Sequence, residues 1–297
     1  MSVFPESWFI YFLLFGLTNQ SFCASILPMT VLQAIFFGAL QGVAEFLPIS
    51  SSGHLALCKE LFNLQEVPLL FDVMLHVATL AAVFIFFRKE IGDLLAVFFR
   101  WITKKSKEDD FVKQKMILAV IFGTISTGVI AIFTTKFLPE LPTKFVCGGF
   151  IVTAFLLILS SILSKRQIEK EGVSSTVSPL KGFLVGIAQG IGTLPGISRS
   201  GITISASLMA GVDRKTAGEF SFILSIPAIV GAFILEVKDL GDVTQTVGIL
   251  PLIVGCLVAF VVGIFSLKFL MKLINKGKLE YFAFYLIPVG ILGLIFL

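Results

Sequence analysis

The chain has 297 residues and a formal net charge of +4; 56% of its residues are hydrophobic and only 14% are charged. With 32 phenylalanines and a mean hydropathy of +0.99, it is too apolar for a soluble domain and is predicted to be an all-α polytopic membrane protein. The basic residues fall in short loops and form no extended patch, so the expected partner is the bilayer and not nucleic acid.

Residues 1–27 form a separate segment at the start of the chain. An apolar run from Trp8 to Leu17 is followed by small and polar residues, as before a signal-peptide cleavage point, but no basic residue precedes the run. The segment is therefore read either as a cleaved signal or as an uncleaved anchor.

Polar residues interrupt the next apolar stretch at positions 41–54, which read Q-G-V-A-E-F-L-P-I-S-S-S-G-H. Pro48 lacks a backbone donor, and Gly42 and Gly53 weaken a helix on either side of it. The apolar stretches that flank the motif are each shorter than the roughly 20 residues needed to cross a bilayer. We expect a re-entrant helical hairpin with the motif at its tip; a polar loop at the membrane surface is the alternative.

A second interrupted stretch occurs at residues 189–201. It aligns without a gap to residues 41–53, and six of the thirteen positions are identical. Further along, residues 220–234 match residues 71–85 at nearly the same spacing. Two interrupted apolar segments in corresponding halves of a membrane protein indicate an internal duplication with a binding site between the halves.

Three predicted spans follow each motif. They lie at about 68–87, 116–135, 145–164, 220–235, 247–267 and 281–297. The one at 220–235 is shorter than the roughly 20 residues needed, so we expect it to begin earlier, near Thr216. Eighteen lysines and arginines fall in one alternating set of loops and four in the other, which places the richer set in the cytoplasm. On this assignment Phe71 and Phe220 begin helices of opposite direction. The predicted fold is an inverted-topology repeat, residues 28–180 and 181–297, each half a re-entrant helical hairpin plus three transmembrane helices.

One site would gather polar residues from both motifs if the two hairpin tips meet. Arg199 is the one Arg or Lys outside the loops, and its guanidinium presents a fork of donors that matches phosphate oxygens. A structural ion pair between Arg199 and Glu45 is the alternative. Hydroxyls and backbone N–H groups that can approach an anion make the following residues candidates for substrate binding: Ser50, Ser52, Gly53, Ser198, Ser200 and Gly201.

Ser51 and His54 are the candidate nucleophile and base, because a hydroxyl needs a neighbouring base to become a good nucleophile. Which of them has which role is left open, and serines also serve as plain hydrogen-bonding residues between membrane helices. Glu45 can act in acid–base chemistry or hold a divalent cation, for which Gln41, four residues earlier, can supply a second oxygen.

Asp72 and His76 are further ionisable residues inside an apolar stretch. They stand four positions apart on one predicted helix, where side chains are neighbours. We expect them to form a structural pair with each other.

Four motifs together resemble those of the bacterial undecaprenyl-diphosphate phosphatase family, which is associated with bacitracin resistance: Q-x-x-x-E, P-x-S-S-S-G-H, P-G-x-S-R-S-G and G-E-F-S-F. The resemblance covers roughly residues 28–297. It implies an enzyme of the bacterial inner membrane that hydrolyses undecaprenyl diphosphate to undecaprenyl phosphate and inorganic phosphate. It also implies a divalent cation, Mg²⁺ or Ca²⁺, and a role in recycling the carrier lipid for peptidoglycan synthesis.

By this resemblance Glu45, Ser51, His54 and Arg199 are the catalytic residues. Glu45 matches the acidic residue of the first motif, Ser51 and His54 match residues proposed as nucleophile or base, and Arg199 matches a phosphate-binding arginine. Many members have Glu where this chain has Gln41, which puts in question only the share of Gln41 in binding the metal.

A lipid-carrier flippase or transporter that uses the same site is the alternative function, since inverted repeats with broken helices are a transporter architecture. Release of phosphate from a polyprenyl diphosphate by detergent-purified protein separates the two. The sequence does not give the oligomeric state, and a homodimer is left open.

Overall fold

The computed structural model describes residues 29–62, 69–137, 141–169, 172–236 and 247–296, so the predicted signal or anchor segment lies outside it. The described residues form eleven α-helices, which we number in chain order: α1 Val31–Ala44, α2 Ser51–Leu61, α3 Leu69–Phe86, α4 Arg88–Ile102, α5 Phe111–Phe137, α6 Thr143–Glu169, α7 Pro179–Ile191, α8 Arg199–Met209, α9 Arg214–Glu236, α10 Ile249–Asn275 and α11 Ala283–Phe296.

Within the described ranges, five helical segments are long and apolar enough to cross a bilayer. They contain α5, α6, α9, α10 and α11. The pair α3–α4, bent by 78° at Phe87, gives a sixth if it is counted as one span. Five of the predicted spans are confirmed as helices of this kind, whereas the stretch at 68–87 qualifies only together with α4. Helix α9 begins at Arg214, earlier than residue 220. Large apolar side chains such as Phe155, Phe265 and Phe284 face outward, as expected of a multi-pass membrane protein.

Both sequence motifs interrupt a helix. The chain turns between α1 and α2 and again between α7 and α8. Ser50 Oγ accepts a hydrogen bond from the backbone N–H of Gly53 at 3.3 Å, and Ser198 Oγ accepts one from Gly201 at 3.1 Å. These are helix N-caps. Because the two caps occupy matching positions of the two motifs, the local sequence similarity corresponds to the same local structure.

Glycines let two pairs of helices touch through their backbones. On α1, a Cβ added to Gly38 would overlap the carbonyl of Gly255 on α10. On α7, a Cβ added to Gly186 would overlap the carbonyl of Gly123 on α5. Small residues at such positions are typical of membrane helices. In lipid the hydrophobic effect does not drive helices together, so their association depends on close packing of the backbones.

Each interrupted helix packs against a long helix from the other half of the chain. Helix α1 lies against α10 and α7 against α5, while α3 contacts α10, α9 contacts α5, and α3 and α9 meet each other. This arrangement brings the two turns together. Ser200 Oγ donates to the carbonyl of Phe46 at 3.2 Å, and the rings of Phe46 and Phe222 lie 5.7 Å apart.

Candidate active site

Glu45 directly follows α1 and is the centre of a polar cluster. Its side chain is only 7% exposed. Oε2 accepts hydrogen bonds from Ser51 Oγ at 2.6 Å and from Gln41 Nε2 at 3.1 Å. Oε1 is paired with Nη2 of Arg199, the first residue of α8. The expected meeting of the two motifs is therefore found, with Glu45, Ser51 and Arg199 in one cluster.

Arg199 forms the ion pair with Glu45 that the sequence left open as an alternative to phosphate binding. The two roles are compatible in this geometry. A guanidinium carries five N–H donors, and only Nη2 is engaged by Glu45. Arg199 is also the first residue of α8, and the backbone N–H groups and dipole of a helix N-terminus favour a negative charge. An anion can therefore bind beside the pair.

His76 is a member of the cluster that sequence reasoning missed. Its Nε2 lies 3.2 Å from Glu45 Oε2, and its Nδ1 lies 2.7 Å from the backbone oxygen of Asp72. The carboxylate of Asp72 is bonded instead to Lys59 Nζ of α2 at 2.8 Å. The predicted side-chain pair between Asp72 and His76 is wrong, because α2 and the turn after α1 each supply a better partner. An imidazole within an apolar span was the signal available in the sequence.

His54 is buried on α2, but its two ring nitrogens have partners other than Ser51 and Glu45. Nδ1 lies 2.8 Å from the backbone oxygen of Ser50, and Nε2 lies 2.7 Å from the hydroxyl of Tyr285 on α11. The ring also contacts Phe150, with centroids 4.9 Å apart. His54 thus joins the first motif to α6 and α11, and nothing in the sequence marked Tyr285 as its partner.

The candidate substrate-binding residues lie around the two turns. The hydroxyls of Ser50 and Ser198 cap α2 and α8, and the amides of Gly53 and Gly201 are their donors. Ser200 Oγ lies 3.2 Å from Ser198 Oγ. Ser52 is exposed, with its Oγ 3.5 Å from that of Ser50. Their proposed contacts with substrate remain predictions.

A narrow pocket opens beside Glu45 and Arg199. Residues of α3, α8 and α9 form much of its wall, and five of them carry hydroxyls: Thr79, Ser200, Thr203, Ser221 and Ser225. Thr79 and Ser221 are fully or almost fully buried. The guanidinium supplies the N–H donors of this lining that suit a phosphate group, because the hydroxyls of Thr79, Ser200 and Thr203 already donate to backbone carbonyls.

Glu45 and Gln41 are the residues that fit a divalent cation. In the part of the chain that the structure describes, no three His, Cys, Asp or Glu side chains converge to form a complete metal site. Gln41 Oε1, however, is buried without a hydrogen-bond partner among these residues, and the Nε2 of the same amide donates to the carboxylate of Glu45. Mg²⁺ is commonly bound through one or two carboxylates and the phosphates of a substrate. The donor set therefore fits a cation that is shared with a substrate.

Comparison with known proteins shows which family the chain resembles. A model of the family described as bacitracin resistance protein BacA matches residues 34–292. The undecaprenyl-diphosphatase of Treponema denticola is 52% identical over 263 residues, 89% of this chain and 96% of the relative. That of Borrelia hermsii is 40% identical over 257 residues, 86% of this chain and 95% of the relative.

A more distant relative is also an undecaprenyl-diphosphatase. The undecaprenyl-diphosphatase of Methanosphaera stadtmanae is 36% identical over 277 residues, 90% of this chain and 98% of the relative. The family match runs from α1 into α11 and so contains every residue of the polar cluster. The chain belongs to the bacitracin resistance protein BacA family.

Proposed function

We propose that the chain is an undecaprenyl-diphosphatase, which converts undecaprenyl diphosphate and water into undecaprenyl phosphate and inorganic phosphate. The observation that carries the proposal is the contact between Ser51, Glu45 and Arg199, three groups suited to phosphoryl transfer. The undecaprenyl-diphosphatases that align with nearly the whole chain support the same reaction. By recycling the carrier lipid, the enzyme serves peptidoglycan synthesis and confers bacitracin resistance.

Ser51 is assigned as the nucleophile and Glu45 as its base. The hydroxyl of Ser51 already donates to the carboxylate at 2.6 Å, and Arg199, Gln41 and His76 hold that carboxylate in place. A nucleophile, a base and groups that orient the base are the arrangement that such catalysis requires. His54 is not assigned this role, because both of its ring nitrogens are bound elsewhere.

The reaction proceeds in two steps on this assignment. Ser51 Oγ attacks the terminal phosphorus while its proton passes to Glu45, and the bond from that phosphorus to the bridging oxygen breaks. Undecaprenyl phosphate leaves and takes the proton from Glu45. Water then attacks the phosphoserine, gives its proton to Glu45, and phosphate leaves as that proton returns to Ser51 Oγ.

Arg199 binds and orients the phosphate that is transferred. Catalysis of phosphoryl transfer is mostly positioning and charge stabilisation, and a forked cation at a helix N-terminus supplies both. Glu45 and Gln41 would hold Mg²⁺ or Ca²⁺ together with the substrate, and a cation bound there would neutralise phosphate charge and polarise the P–O bond.

The proposal includes an inverted-topology repeat in the bacterial inner membrane, with one re-entrant hairpin entering from each face. The matching caps at Ser50 and Ser198 support the repeat. So does the crosswise packing of α1 on α10 and of α7 on α5. The excess of lysine and arginine in alternate loops supports the opposite orientation of the two halves.

Phosphate release by purified protein in detergent tests this function, because a flippase has no compartments to connect there. Wild-type protein is expected to release phosphate from undecaprenyl diphosphate. Ser51→Ala should lower the rate by about 10³-fold or more, while Ser106→Ala is the control, since Ser106 is an exposed serine between α4 and α5 that lies outside the candidate site. Wild-type protein that releases no phosphate would refute the proposed activity, and equal effects of the two alanines would refute the role of Ser51.

A further inference from the structure

We propose that His76 is a positioning residue for the catalytic base: it holds Glu45 while Arg199 also binds the phosphate of the substrate. The inference rests on the proposed function. Its starting point is the imidazole of α3, which reaches across to Glu45 Oε2 at 3.2 Å and is 23% exposed.

The ring has one orientation that satisfies both of its neighbours. The backbone oxygen of Asp72 can only accept a hydrogen bond, so Nδ1, 2.7 Å away, carries a hydrogen. Nε2 is then the ring atom that faces Glu45 at 3.2 Å, and because a carboxylate only accepts hydrogen bonds, Nε2 donates to it and the ring carries a hydrogen on both nitrogens. Fixing one histidine nitrogen on a backbone carbonyl so that the other faces a functional group is a common way to orient an imidazole.

The position of α3 is itself fixed close to the nucleophile. Lys59 of α2 is bonded to Asp72 of α3 at 2.8 Å, one helical turn before His76. Because α2 begins at Ser51, this contact ties the helix that carries the nucleophile to the helix that carries His76. One turn after His76, Thr79 lines the pocket beside Arg199. His76 therefore lies between the Lys59–Asp72 contact, which ties α3 to α2, and Thr79 in the pocket wall.

Glu45 needs a holder that does not itself take part in the reaction. Of its four partners, Ser51 attacks the phosphorus and Arg199 is drawn towards the phosphate oxygens. Gln41 is neutral and lies on α1, one helical turn before Glu45. It therefore moves with Glu45 and does not fix the carboxylate relative to the rest of the site. His76 comes from another helix and keeps the carboxylate aimed at Ser51 when the other contacts change.

Two amide substitutions separate this role from simple filling of space. The amide nitrogen of glutamine reaches the position of the Nε2 atom of histidine, whereas that of asparagine stops near Nδ1. His76→Asn can still donate to the Asp72 carbonyl but cannot reach Glu45. We expect kcat of His76→Asn to be about ten- to hundredfold below that of His76→Gln, as for loss of one hydrogen bond to a charged group, with unfolding midpoints that stay similar.

Equal kcat values for the two variants would overturn the inference, provided wild-type protein releases phosphate; a wild type without activity would instead overturn the proposed function. A second measurement does not depend on activity. The chain has two histidines, so selective ¹⁵N labelling gives few signals. Glu45→Gln should shift the Nε2 resonance of His76 and leave that of His54, which is bonded to Tyr285, in place. An unmoved His76 signal would contradict the contact.

Discussion

Replacement of Arg199 by lysine tests whether the guanidinium binds phosphate through its fork. In the structure Nη2 is paired with Glu45, and the side chain is 20% exposed. Lysine keeps the positive charge but presents all its donors from one atom, whereas the guanidinium spreads five N–H donors over three nitrogens. We expect the ammonium of the variant to remain with Glu45 and to serve the phosphate poorly.

The size of the effect follows from the number of contacts that are lost. A hydrogen bond to a charged group contributes about 1.5–3 kcal/mol, and about 1.4 kcal/mol corresponds to a tenfold change. Loss of one contact to phosphate should therefore lower kcat/KM by about 10- to 150-fold. Because the ion pair with Glu45 is kept, the unfolding free energy should change by less than about 1 kcal/mol.

Phosphate release from undecaprenyl diphosphate, measured over a range of substrate concentrations, gives kcat/KM, and thermal unfolding in the same detergent reports on stability. Arg166→Lys is the control, since Arg166 is an exposed residue near the end of α6. A value of kcat/KM for Arg199→Lys close to that of the control would refute the forked contact. A large loss of stability would show that the arginine acts first as a structural ion pair.

Three further predictions follow from the site, the helix contacts and the topology. Glu45→Gln should lower kcat by about 10² to 10⁴-fold through loss of the base; recovery on addition of excess Mg²⁺ would instead indicate that Glu45 acts mainly as a metal ligand. Gly186→Ala should destabilise the protein by about 1–3 kcal/mol in thermal unfolding, whereas Gly128→Ala, where an added Cβ meets open space, should not; equal midpoints would contradict the backbone contact between α7 and α5. In cells whose protein lacks the native cysteines, an impermeant thiol reagent should label Lys144→Cys but not Lys276→Cys, and labelling of both would rule out the assigned orientation.

The sequence predicted those features of the fold that depend on composition and local chain geometry. Apolar length located the spanning helices, and Pro48 with its neighbouring glycines indicated the first interruption. The repeat of that motif around Arg199 led to the expectation that Arg199 and Glu45 share one site, which the structure bears out. These inferences need only the composition and the order of residues along the chain.

The partners of individual side chains could not be predicted in the same way. Asp72 and His76 are neighbours by helical spacing, but the rotation of α3 against α2 decides that one meets Lys59 and the other Glu45. Tyr285 lies in an apolar stretch that shows no polar pattern, so its bond to His54 follows from the packing of α11 alone. Tertiary contacts between distant helices are therefore the part that local patterns leave undetermined.

The crosswise packing of α1 on α10 also constrains the order of biogenesis. Helix α1 leaves the ribosome long before α10, yet the backbone surface of Gly255 that it contacts belongs to α10. Until α10 is inserted, the glycine-lined surface of α1 has no native partner. The geometry around Glu45 is thus expected to mature after translation is nearly finished, and nascent chains that end before α10 should remain open to proteases even though every catalytic side chain is already present.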